Sequence, residues 1–174
     1  MRASSHLRGH QPIGWVVPTL LFVLFVALVA PGGCGSPAAG GASVVVGDVT
    51  FGVEVAQTPA ERRQGLSGRD SLQPMTGMLF VFESGRATSF WMKEMRLPLD
   101  FIWIGEECTV VDTEPNVPPP AEGTADAELP TYSSGVPAVY VFEVNAGDVE
   151  RYGIAVGDRV RFSDLSPDVT GAYC

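Results

Sequence analysis

A chain of 174 residues, 45% hydrophobic and with three cysteines, carries enough apolar material for one globular core. All twenty Asp and Glu, but only nine of the eleven Lys and Arg, lie beyond residue 33, so the body of the protein is acidic and a poor partner for nucleic acid. Both histidines, His6 and His10, precede that body, which excludes a Ser-His-Asp triad, a Cys-His pair or a histidine-ligated zinc site from it.

In chain order, Arg2, His6, Arg8 and His10 lead into an uncharged apolar run over residues 13–29, the layout of an export signal. The run is also just long enough to stay as a membrane helix. It ends in Pro31-Gly32-Gly33-Cys34-Gly35-Ser36, which resembles the lipobox of a bacterial lipoprotein, with Pro31 where an aliphatic residue is usual. The resemblance implies that residues 1–33 are removed and that Cys34 is lipidated. A lipid anchor ranks first, an uncleaved N-terminal transmembrane helix second, and free secretion third. Either anchor puts the remainder on the extracytoplasmic face of the cell membrane, because the basic residues flank the N-terminal side of the span.

Residues 34–42 are a flexible linker of small residues, and residues 43–163 read as a single β-rich domain with a C-terminal tail over 164–174. Val-rich alternation over 43–56 predicts two short strands. Thr58-Pro59-Ala60-Glu61 is a capping box opening a short helix that Gly65 ends. Aromatic and β-branched runs predict strands over 77–82, 88–92, 99–104 and 108–113. Residues 114–137 are Pro-rich and aperiodic and read as one long loop. A strand follows over 138–144, then a helix capped by Asn145 and ended by Gly153, then a strand over 159–162. The fold class expected is mainly β with two short helices: a compact barrel or a strongly bent antiparallel sheet.

No GxGxxG before a helix, GK[ST], CxxC or EF-hand pattern is present, so no cofactor is expected. Met75, Met78, Met92 and Met95 form two MxxM pairs, a soft-ligand set that suits Cu(I), but their neighbours Leu79, Phe80, Phe90 and Trp91 favour core packing. With Cys34 lipidated, Cys108 and Cys174 form an even pair in an oxidising compartment, which leaves open a disulfide or two free thiols.

Further motifs carry a resemblance: 61–69 (ERRQGLSGR), 77–82 (GMLFVF), 89–93 (SFWMK) with Pro98-Leu99-Asp100, Tyr132, 138–144 with Asn145-Ala146-Gly147, and Gly153-Ile154 with Gly157-Asp158. The chain closely resembles the prokaryotic family called domain of unknown function 192. That family implies an exported or membrane-anchored small β-rich domain and brings no established activity. After FWMK many members read Asn-Thr, where this chain has Glu94 and Met95. The family's polar and aromatic marks fall on Glu61, Arg62, Arg69, Trp91, Lys93, Asp100 and Glu143. Structurally, they would form ion pairs such as Arg69–Asp100 or Arg62–Glu143. Functionally, Arg62 and Arg69 would present forks to a small anionic or sugar ligand, with Trp91 as a stacking wall. A noncatalytic ligand-binding domain therefore ranks first. A carboxylate enzyme using Asp100 or Glu143 comes second, needing one of them in a pocket with a second acid opposite. An envelope module docking through 114–137 comes third.

Overall fold

The computed structural model describes residues 41–82, 89–165, Val169 and Cys174. The apolar run over 13–29 and Cys34 lie outside them.

The chain forms β1 (Ser43–Val46), β2 (Val49–Ala56), α1 (Pro59–Gln64), β3 (Thr76–Val81), β4 (Phe90–Trp91), β5 (Leu99–Ile104) and β6 (Val110–Val117). A 3-10 turn (Asp126–Glu128), β7 (Thr131–Tyr132), β8 (Tyr140–Asn145), α2 (Asp148–Tyr152) and β9 (Val160–Ser163) complete it. Seven strands make one strongly curled half-barrel sheet in the order β6-β5-β8-β3-β2-β1-β9, and β4 pairs β7 in a separate ribbon. Every neighbouring pair in the large sheet is antiparallel except β2 and β3, which run parallel because α1 and the segment after it carry the chain back across. Register shifts between β5 and β6 add to the curl. An antiparallel bridge between Thr109 and Arg159 draws the two edge strands together at one end.

Strand alternation sorts the core onto two faces. Phe51, Ile102, Ile104, Tyr140, Phe142 and Val144 pack on one, with Val149 of α2. Met78, Phe80, Leu99, Phe101, Trp103 and Val141 pack on the other, with Leu66, Met92 and Met95. Gly77 lies where β3 and β8 approach most tightly: a Cβ there would stand 2.3 Å from the Glu143 carbonyl oxygen.

The capping box forms as the sequence predicts, with Thr58 Oγ1 accepting from Glu61 N and Glu61 Oε2 accepting from Thr58 N. Thr58→Ala is expected to lower the urea midpoint by the equivalent of about 1 kcal/mol. Several boundaries move. The stretch over 114–137 is not one loop, because β6 runs on to Val117 and β7 lies within it. Pro115 is tolerated because β6 is an edge strand. The strand expected from residue 108 starts at Val110, since Cys108 sits in a turn at φ 56. Cys108 and Cys174 are joined in a disulfide with Cα atoms 5.2 Å apart, which fastens the end of the chain beside the Thr109–Arg159 bridge.

Asn145 does not cap α2. It ends β8 and donates from Nδ2 to Gln73 O at 3.2 Å, while Gly147, at φ 85, holds the cap position without a side chain. The missing acceptor comes from β5. Asp100, fully buried, accepts from Gly147 N at 3.0 Å, Val149 N at 2.8 Å and Asn116 N at 2.7 Å.

Candidate functional site

On the face carrying Phe80 and Phe101 lies a cleft of ≈ 340 Å³. Arg62 and Arg63 of α1 with Gln64, Gly65, Leu66 and Ser67 form one side; Ser89, Phe90 and Trp91 form the other; Phe80, Phe82, Met95 and Glu143 complete it. The helix is held against the sheet by Arg62, whose Nη1 donates to the carbonyls of Gln57 and Val81, at 2.9 Å for the latter. Its guanidinium also stacks over Phe82, 5.2 Å from the ring centre. Nη2 and Nε of Arg62 have no acceptor among the described residues. The turn after α1 is docked by Ser67 Oγ donating to Lys93 O and Gly68 N donating to Glu94 O, both at 2.9 Å. Edge-to-face stacking of Phe90 on Phe80, at 5.1 Å, seats β4 against the sheet, while Trp91 next to it stays 51% exposed.

Glu143 sits deepest. It comes from the middle of β8 between Met78 of β3 and Phe101 of β5, both apolar, and is only 5% exposed. Among the described residues nothing hydrogen-bonds or ion-pairs with its carboxyl. Burial alone pushes its pKa up to about 8, so at neutral pH the group is a protonated acid able to donate.

The other residues suggested by the sequence go elsewhere. Asp100 and Glu143 occupy neighbouring ladder positions, with Phe101 opposite Glu143 and Asp100 opposite Val144, so they point to opposite faces of one sheet. Asp100 organises α2 and does not reach the cleft. Neither ion pair considered from the sequence forms. Arg69 instead grips Glu54 in a two-pronged pair at 2.5 and 2.7 Å, which holds the Glu54 carboxyl below its ordinary range. Arg69 lines a separate cleft against β2, so Arg62 and Arg69 cannot act as twin forks on one ligand. Lys93 lies over Trp91 at 5.7 Å and pairs with Asp126 of the 3-10 turn. Met78, Met92 and Met95 share one apolar cluster, but Met75 packs against the opposite one, so the four thioethers do not form one ligand set. Among the described residues no group of three or more Cys, Asp or Glu is placed to hold a metal. Arg63, Gln64 and Ser67 line the cleft without having been singled out, and Phe80, Phe90 and Met95, read from the sequence as core packing, line it too. Alternation was the available signal for Phe80, which shares the face of Met78.

A family model described as Uncharacterized ACR matches residues 42–162. A solved protein from Sinorhizobium meliloti 1021, described as a candidate transcription regulator, is 34% identical over 71% of this chain and 93% of its own, with a TM-score of 0.61. A protein of unknown function from Novosphingobium aromaticivorans DSM 12444 is 29% identical over 76% of this chain and 94% of its own, with a TM-score of 0.62. Among curated proteins, none matches.

Proposed function

We propose that this chain, which belongs to the DUF192 family, is a membrane-tethered, extracytoplasmic module that binds a small ligand in the cleft floored by Glu143. The observation that carries the reading is the Glu143 carboxyl: 5% exposed, on an apolar sheet face, facing the cleft, with no partner among the described residues. A buried polar group left unpaired costs about 1–3 kcal/mol. A group of that kind is explained when a bound molecule supplies its partner. The free donors of Arg62, the exposed ring of Trp91 and the flanking Phe rings give such a molecule polar anchors and a flat apolar wall. The tether rests on the charged N-terminus, the apolar run and Cys34.

The carboxylate-enzyme reading needs a second acid opposite the first, and the described lining holds Glu143 alone. The acidic body repels a phosphate backbone, which argues against DNA binding by this chain.

The test is ligand titration of the full-length protein in detergent micelles with ring-bearing acids, neutral sugars and amines. Trp91→Ala is expected to weaken whichever compound binds by about tenfold, the effect of losing an aromatic contact worth roughly 1 kcal/mol or slightly more. The thermal midpoint should stay within about 2 °C, since the ring is half exposed. Binding that Trp91→Ala leaves unchanged would remove the cleft from consideration.

A further inference from the structure

We infer that the ligand is a carboxylate on a ring-sized body, read by the Glu143 carboxyl together with the guanidinium groups of Arg62 and Arg63; this rests on the cleft being the binding site. The charges around Glu143 select among ligand classes. From β3 it faces Met78 and Phe80, from β5 Phe101, from β4 and the following turn Phe90, Trp91 and Met95, none of them titratable. α1 contributes Arg62 and Arg63. The other acids that the neighbouring strands place on this face stand two strands away: Glu54 beyond Met78, neutralised by Arg69, Glu114 beyond Phe101, exposed to solvent, and Asp112 beyond Trp103, which accepts from Thr113 N and Gly135 N. Lys93, beside Trp91, is occupied by Asp126. Among the described residues the cleft thus presents two cations and one acid, in a protein whose overall charge is −9.

An amine would meet two guanidinium groups and, while Glu143 keeps its proton, no carboxylate. A neutral sugar would leave the arginine charge unanswered. A carboxylate satisfies both sides: one oxygen accepts the Glu143 O–H and the other accepts guanidinium N–H groups, giving charge-assisted bonds. No covalent change is involved, and the proton stays on Glu143.

Burial holds the Glu143 pKa at about 8. Below that pH the acid donates to the bound carboxylate; above it two carboxylates face each other, so affinity must fall by about tenfold per pH unit through the loss of one proton. Glu143→Gln keeps a donor of the same shape that does not titrate, so its affinity should be level across the same range.

Glucuronate, glucose and glucosamine share one ring and differ in charge, and are titrated against the full-length protein in micelles at pH 6, 7 and 9. Expected are at least tenfold tighter binding of glucuronate than of the other two at pH 6, about tenfold weakening of glucuronate from pH 7 to pH 9 in the wild type, and a level profile in Glu143→Gln. If glucose or glucosamine binds as tightly as glucuronate, and Trp91→Ala weakens it, the carboxylate assignment is overturned while the cleft stands. A glucuronate affinity equally pH-dependent in Glu143→Gln also overturns it. If none of the three shows binding that depends on Trp91, the cleft reading falls and takes the assignment with it.

Discussion

Asp100→Ala is expected to lower the unfolding free energy by about 4 kcal/mol, a large part of the total stability of a domain of this size. The carboxylate is fully buried and accepts from three backbone N–H groups, those of Asn116, Gly147 and Val149. Bonds to a charged acceptor contribute about 1.5–3 kcal/mol each, and truncation leaves three donors stranded. Nothing nearby replaces it, since Gly147 has no side chain and Asn145 is turned towards Gln73. Asp100→Asn should recover about half of the loss: its oxygen can still accept from Asn116 and Gly147, but its NH2 group then confronts the Val149 N–H. Urea denaturation of both variants decides the matter. A loss below about 1 kcal/mol in Asp100→Ala would mean that α2 is held by its apolar contacts alone.

Glu143 gives the second large effect, and its sign depends on pH. Its folded pKa is raised from 4.5 to about 8, so between those values the folded state holds a proton that the unfolded chain has released. The contribution is therefore fully present below pH 4.5 and drains away as the pH climbs to about 8, at roughly 1.4 kcal/mol per unit, about 5 kcal/mol in all. Glu143→Gln removes the titration. Relative to wild type it should be near neutral at pH 4 and more stable by about 5 kcal/mol at pH 9. Asp148, also raised chiefly by burial, titrates in both proteins and cancels from the comparison. Urea midpoints at the two pH values read the difference directly. Parallel pH profiles for the two proteins would show that Glu143 is ionised in the folded state at neutral pH.

Much of the fold was legible because five of the seven strands in the large sheet have a local signature: Val-rich alternation in β1 and β2, and aromatic runs in β3, β5 and β8. The capping box was equally plain, since all its partners lie within four residues. What escaped was whatever depends on contacts distant in sequence. β6 was cut short by a proline that is harmless only at a sheet edge, and α2 was given to Asn145 although its acceptor is 47 residues before Gly147. The site was half legible. Arg62, Trp91 and Glu143 do meet in one cleft. Asp100 and Glu143, both buried acids on paired strands, look alike in sequence, and only their places in the β5–β8 ladder put them on opposite faces. Asp100 is one partner the sequence suggests for Arg69, while its actual partner Glu54 lies on β2, beside β3 only through the parallel register that no local pattern shows.

The ribbon of β4 and β7 contains two residues from each strand and stands apart from the seven-stranded sheet. Opening it breaks few hydrogen bonds, whereas freeing the backbone of β8 requires parting it from both β3 and β5. Amide hydrogen exchange at Phe90 and Trp91 should therefore be faster by orders of magnitude than at Val141 and Phe142. The cleft thus has a rigid floor and a breathing wall, so a ligand can enter past Trp91 without any disturbance of the sheet beneath it.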